Sequence, residues 1–320
     1  MPQPDAFPGF PVSSLCGPLR KPRQMLAEQT YDGHLSIHDD KTASELGLSA
    51  GPIEGPTHFS QFDPLLYRLF GQAWFETGCI SAHYQNMVVE GEEVRAFVQP
   101  PAPGVRVAHI WAEKRDGTPV LKGTASVDDV PDSEHEIPQR MAKLREPKGL
   151  VINRDLKVGQ RGARPETVTM GFTQHMGDYY PFSLAAKLKV ITEPSPWYTP
   201  EGGPHAPWGR AIIPIEMISV LLGSTVKQAG FSGRGPAVGL FAGQQIRLLK
   251  GPLFVGQAYD LQREIVALSE SARTESVWVR TKVLEAGTQQ CVAEMILNGA
   301  TLKHSYPHYE AEARALGLVA

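Results

Sequence analysis

Cysteine is scarce in this chain. Three occur in 320 residues, Cys16, Cys79 and Cys291. Their number is odd, their spacing is wide, and no CxxC pair exists. That pattern argues against a disulfide framework and against a zinc site, and it fits a reducing compartment. Charge of one sign is lacking as well. The formal net charge is -3, so nothing favours nucleic acid or an anionic membrane as a partner. No long hydrophobic run is present. The most apolar stretch, 211–222, is interrupted by Glu216 and is too short to span a bilayer. The first residues, MPQPDAFPGF, lack a basic region followed by an apolar core and do not read as a signal peptide. The expectation is a cytoplasmic protein with no membrane and no nucleic acid among its partners.

What is present is ordinary globular composition, 42% hydrophobic and 20% charged, in a length that fits two domains of about 150 residues. Gly 31 and Pro 27 call for many turns. Five segments are expected. Residues 1–27 form an arm that carries Arg20-Lys21-Pro22-Arg23. Residues 28–130 form a first domain, 131–165 a polar connection with a short helix, 166–306 a second domain, and 307–320 a final helix and tail.

The two domains repeat one order of events. Gly51 and Pro56 lead into an apolar helix, expected from 56 to about 71, and Gly209 and Pro214 at the same offset lead into another, from 214 to about 229. Proline suits a first helical turn, where its missing N–H is not needed. The first helix gathers Phe59, Phe62, Leu65, Leu66, Leu69 and Phe70 on one face. The second is apolar nearly all round, through Ile215, Ile218, Val220, Leu221 and Leu222, and must be buried. Alternating β-branched strands follow each helix, with hairpin signals at Lys114-Arg115-Asp116-Gly117 and Glu285-Ala286-Gly287. The physical solution is α+β: each sheet curls around its own helix, and the two sheets join edge to edge, removing two exposed edges.

This order resembles the double hot-dog superfamily, which includes β-hydroxyacyl dehydratases and MaoC-like hydratases, over roughly residues 28–305. One motif within it is sharp. His205-Ala206-Pro207-Trp208-Gly209-Arg210-Ala211-Ile212-Ile213-Pro214 is similar to the H-x-x-x-G-x-x-x-x-P signature of the dehydratases. The resemblance implies His205 as the base that takes the proton α to a thioester. It implies a backbone N–H near Gly209 as donor to the thioester carbonyl, and an acid on the opposite central helix. Such a reaction needs a base near neutrality and a donor converging on one carbon. Asp63 lies on that helix, one residue out of the family's register. The alternatives remain open: His205 as an ordinary loop histidine, Asp63 as a cap for a helical turn starting at Pro64. Gly47 is the first-half equivalent of His205, so one site is expected, not two.

Other residues compete for chemistry. Glu54 and His58 flank the start of the first helix, and Glu216 is the repeat equivalent of His58. A carboxylate on this helix resembles the water-activating group of hot-dog thioesterases. The segment 32–40, DGHLSIHDD, is similar to the D-x-N-P-x-H site of MaoC-like hydratases. His38 matches the family histidine, while Gly33 and Leu35 depart from the Asp and Asn. The alternative reading is a turn. Tyr179-Tyr180 and Trp197-Tyr198 are read as lining a pocket or as simple packing.

The site candidates are therefore His205, Asp63, His58 and Glu216 for catalysis, and Gly209, Glu54, Tyr198 and His38 for substrate binding. No metal and no cofactor is called for. The expected activity is that of a lyase, adding or removing water or shifting a double bond on a β-hydroxyacyl or enoyl substrate. A thioesterase, or a tailoring or binding role on a free small molecule, stands as the alternative. An acyl thioester of CoA or of an acyl carrier protein is the partner the resemblance implies, although no Lys/Arg cluster for CoA phosphates is visible. A monomer and a homodimer are both compatible with the fused halves.

Overall fold

The structure is a computed structural model that describes residues 14–30, 36–45, 47 and 50–318. Its strands are β1 (Leu15–Cys16), β2 (Cys79–Tyr84), β3 (Val94–Gln99), β4 (Ala108–Lys114), β5 (Pro119–Ser126), β6 (Glu166–Val168), β7 (Gly239–Leu248), β8 (Tyr259–Glu270), β9 (Thr274–Glu285) and β10 (Cys291–Leu302). The helices are α1 (Asp40–Glu45), α2 (Asp63–Phe70), α3 (Ala73–Thr77), α4 (Glu136–Met141), α5 (Leu184–Leu188), α6 (Ile215–Gly223) and α7 (Tyr309–Ala315).

All ten strands form one sheet in the order β1-β3-β4-β5-β2-β7-β10-β9-β8-β6. The order reads as the same pattern from either end. β2 and β7 meet antiparallel at the centre, with Ile80 opposite Ile246 and Ala82 opposite Gln244. Two five-stranded halves thus hide each other's edges, as the sequence pattern predicts. Strand alternation decides what each face touches. Ile80, Ala82 and Ile246 belong to the main core together with Phe59, Phe62, Leu66 and Leu221 of the central helices. Ser81, pointing the other way, accepts a 2.9 Å hydrogen bond from the Ile137 N–H of α4. α4 therefore sits on the outer face across the join, where Ile137 packs with Trp278 and Ile296. Each fully buried Phe or Leu of the inner face contributes about 1.5–3 kcal/mol.

The central helices differ from expectation in one respect each. The first opens as a 3-10 helix, Gly55–Phe62, and becomes α-helical only at Asp63-Pro64. The second ends at Gly223 rather than near 229. A side chain at Gly223 would place its Cβ 2.4 Å from the Tyr180 hydroxyl, so that ring occupies the space just past the helix end. The two helices touch each other where α6 meets the 3-10 segment.

Candidate functional site

A cavity of about 470 Å³ opens between the halves. One wall is the start of the first central helix, with Glu54, Gly55 and His58. The facing walls are the inner side of β7, β9 and β10 and the α6 residues Ser219 and Gly223. His38, Tyr84 and Tyr180 complete this end. Bare Cα atoms make the room. At Gly55 a Cβ would meet the Tyr84 ring at 2.6 Å, so glycine lets the aromatic ring slide beneath the helix start.

Pro52 ties His38 to Glu54: the His38 ring bonds its carbonyl, and Glu54 follows it two residues along the chain. The His38 Nδ1 lies 2.6 Å from the Pro52 carbonyl oxygen. A carbonyl only accepts, so Nδ1 carries the hydrogen and Nε2 keeps its lone pair. Burial holds the ring's pKa below the ordinary histidine value, although the Pro52 bond opposes the shift. Glu54 is buried, and burial pushes its pKa up to about 7, opposed by the positive charge of Lys187 and a hydrogen bond with Tyr180 and reinforced by Glu216. Its carboxyl can hold or release a proton near neutrality. His58, 2% exposed, is kept neutral: burial first, then Lys187 and Lys114, lower its pKa to about 4. The Gln61 amide nitrogen lies 3.4 Å from the His58 Nδ1. With that amide donating, His58 carries its hydrogen on Nε2. One imidazole thus offers a lone pair and the other an N–H.

Behind this group lies an ion pair of the second half that also reaches across to the first. Lys187 Nζ of α5 stands 3.1 Å from Glu216 Oε1, both almost fully buried, and 3.4 Å from the Thr57 hydroxyl. Glu216, the rival catalytic carboxylate, is therefore engaged and does not line the cavity. Burial raises its pKa while Lys187 opposes the shift. Lys187 was missed in the sequence. Its signal was a single lysine inside the apolar run LAAKL, a position that demands a buried partner.

The His205 motif folds differently from the resemblance. His205 is exposed, at the end of the 3-10 turn Gly203–His205, and does not border the cavity. Gly209 is exposed with φ 65, so it serves a left-handed turn. Asp63 is 3% exposed and both its oxygens are taken: Trp74 Nε1 donates to Oδ1 at 2.9 Å and the Tyr198 hydroxyl to Oδ2 at 3.0 Å. Burial raises its pKa to about 7 against those two bonds. Asp63 and Tyr198 are thus partners in a buried structural network, away from the cavity. Aromatic rings pack at the pseudo-twofold counterpart of the cavity. Trp197 packs against Tyr67, Phe75 and Trp208 with ring centroids 5.4, 5.5 and 5.5 Å apart. By the repeat offset, Ile212 stands in Glu54's counterpart position and Pro196 in that of His38.

Of the eight candidates the structure brings His38, Glu54 and His58 to the cavity, with Glu216 behind them in its pair with Lys187; His205, Gly209, Asp63 and Tyr198 do not line it. Residues 32–35 of the MaoC-like segment lie outside the described residues. Among the described residues no group of three or more His, Cys, Asp or Glu is placed to hold a metal ion, and no helix is long and apolar enough to cross a membrane.

No protein-family model matches the sequence, and no curated protein does. Solved structures do. A protein from Chloroflexus aurantiacus, named for a MaoC-domain dehydratase, superposes with a TM-score of 0.59 at 14% identity, covering 92% of this chain and 95% of its own. A conserved protein from Mycobacterium tuberculosis with a double hotdog fold superposes with a TM-score of 0.53 at 10% identity, covering 92% and 96%. Similarity at these identities establishes the fold and leaves the chemistry to the site.

Proposed function

We propose that this double hot-dog protein removes water from, or adds it to, an acyl substrate at the carbons next to a carbonyl, with His38 as base and Glu54 as acid. In the dehydrating direction His38 Nε2 takes the α-proton. The C–H electron pair becomes the new double bond, and the β-carbon–oxygen bond breaks. Glu54 in its acid form gives its proton to the departing hydroxyl, which leaves as water. His58 Nε2–H donates to the carbonyl oxygen as negative charge develops there. Hydration is the same path reversed. The observation that carries this reading is the pairing, in one cavity wall, of a histidine whose tautomer leaves Nε2 free with a carboxyl poised at about 7.

A second reading rests on Glu54 alone. As a carboxylate it could activate water and hydrolyse a thioester. The products separate the two, since a lyase leaves the thioester intact. The test is a panel of β-hydroxyacyl and enoyl thioesters, followed by mass for the water change and by thiol release. His38→Ala and Glu54→Gln are each expected to lower the water-transfer rate by roughly 10²–10⁴-fold. Thiol release surviving His38→Ala but lost in Glu54→Gln would establish the second reading instead. Full turnover in both variants would sink the site assignment.

A further inference from the structure

The cavity continues well beyond the reacting groups. Tyr84 lies one residue past the His83↔Gly243 pair, level with Ala242 of β7. From there the cavity runs to Gly239, three residues further along the strand or roughly 10 Å, past Val277, Gly299 and Ala300. At that far end the wall changes character. It is made by Asn153, Gly233 and Arg234.

Asn153 belongs to the connection between the halves and is firmly seated. The Glu275 carboxylate accepts from the backbone N–H groups of Val151 and Asn153 at 2.8 and 2.9 Å. The Ile152 carbonyl accepts from the Arg234 N–H at 2.9 Å. Gly233 leaves space for the carboxamide, because a Cβ there would come within 2.8 Å of Asn153 Oδ1. Asn153 is 3% exposed, yet its Nδ2 has no hydrogen-bond partner. A buried donor left unmatched costs about 1–3 kcal/mol, and in a native protein such a group calls for an explanation. Arg234 beside it is already matched, its guanidinium 3.2 Å from Glu312 and 3.3 Å from the Tyr306 hydroxyl. The unfilled requirement here is for an acceptor without net charge.

We propose that Asn153 is a specificity residue whose carboxamide binds an uncharged oxygen carried by the bound molecule, roughly 10 Å or more from the reacting carbon. The placement of the reacting carbon rests on the assignment of His38 and Glu54. Two sources supply such an oxygen: a hydroxyl or keto group on the acyl chain, or an amide of a pantetheine-like carrier arm.

Calorimetric titration of the full chain distinguishes them. Wild type and Asn153→Leu are titrated with a medium-chain fatty acid, its ω-hydroxy counterpart, and the same acyl chain as a pantetheine thioether. The plain acid is expected to bind both proteins alike. An affinity loss of about tenfold or more in the variant for the ω-hydroxy acid assigns the oxygen to the chain, and for the pantetheine probe to the carrier. Equal affinity of wild type and variant for both oxygen-bearing probes overturns the proposal, as does failure of wild type to bind either. Asn153→Ala serves if the leucine variant does not fold. Because the readout is affinity, a wild type that binds as expected but turns nothing over would refute the lyase assignment while leaving Asn153 in its role.

Discussion

A buried carboxyl with two donors is a stability element with a definite pH signature, and Asp63 is the clearest case in the chain. Its folded pKa of about 7 lies above the ordinary 3.8. A raised acid contributes stability that is fully present below the ordinary value and is lost as pH rises through the folded one. Between about pH 4 and 7 the native state keeps a proton that the unfolded chain has released. The loss is on the order of 2–4 kcal/mol. Asp63→Asn cannot ionise. Its carbonyl still accepts from Trp74 Nε1, and its amide can donate to the Tyr198 oxygen. Urea unfolding at pH 5 and pH 8 is expected to move the difference in favour of the variant by roughly 2 kcal/mol at the higher pH. A difference that does not change with pH would mean Asp63 is ionised in the folded protein. The same sign applies to Glu54 and has a catalytic counterpart. The proposed dehydration needs Glu54 protonated and His38 neutral. kcat/KM in that direction should therefore fall as pH rises above about 7 and also fall on the acid side, below the ordinary histidine value of 6.5. Glu54→Gln should remove the alkaline limb from whatever activity remains.

The elements were largely legible in the sequence, and the exceptions have physical causes. Both central helices, the strand meanders and the glycine turns follow from periodicity and from Gly and Pro placement. Gly117 and Gly287 take φ 86 and 95 at the expected hairpins, a conformation glycine adopts at no steric cost. Neither the end of α6 at Gly223 nor the Tyr180 ring seated against it, which arrives from a distant loop, was legible. The same holds at Gly55, where Pro56 announced a helix but nothing local announced the Tyr84 ring beneath it. Gly55→Ala is expected to cost about 1–3 kcal/mol through overpacking, read as a lower midpoint in chemical denaturation, and to narrow the cavity beside Glu54. The outer helix α4 makes the complementary case. Ile137 is fully buried at the join of the halves, and Ile137→Ala should cost about 2–5 kcal/mol. A loss below 0.5 kcal/mol would show that the linker helix does not secure the seam.

At the scale of the whole molecule, the repeat yields two equivalent places for a site, and the cavity beside Glu54 occupies one of them. The sharpest motif in the sequence, from His205 to Pro214, marks the other. Its glycine takes a left-handed turn at φ 65 that the equivalent Gly51 does not share, and its proline caps the start of α6. The cavity depends on His38, Glu54 and His58 from one half and on the sheet of the other, a convergence that no local pattern encodes. The other place is packed by Trp197, Trp208, Phe75 and Tyr67, with the Trp208 indole donating to Glu76 at 2.9 Å. His205→Ala, at an exposed loop, should leave turnover unchanged and stability within about 0.5 kcal/mol. Trp197→Ala should behave in the opposite way. Removing this half-buried ring, which touches three others, is expected to cost about 1–3 kcal/mol while leaving the pH profile of the surviving activity as it was. If His205→Ala instead abolished turnover in a protein of unchanged melting temperature, the working site would lie on the tryptophan side, and the cavity beside Glu54 would need another occupant.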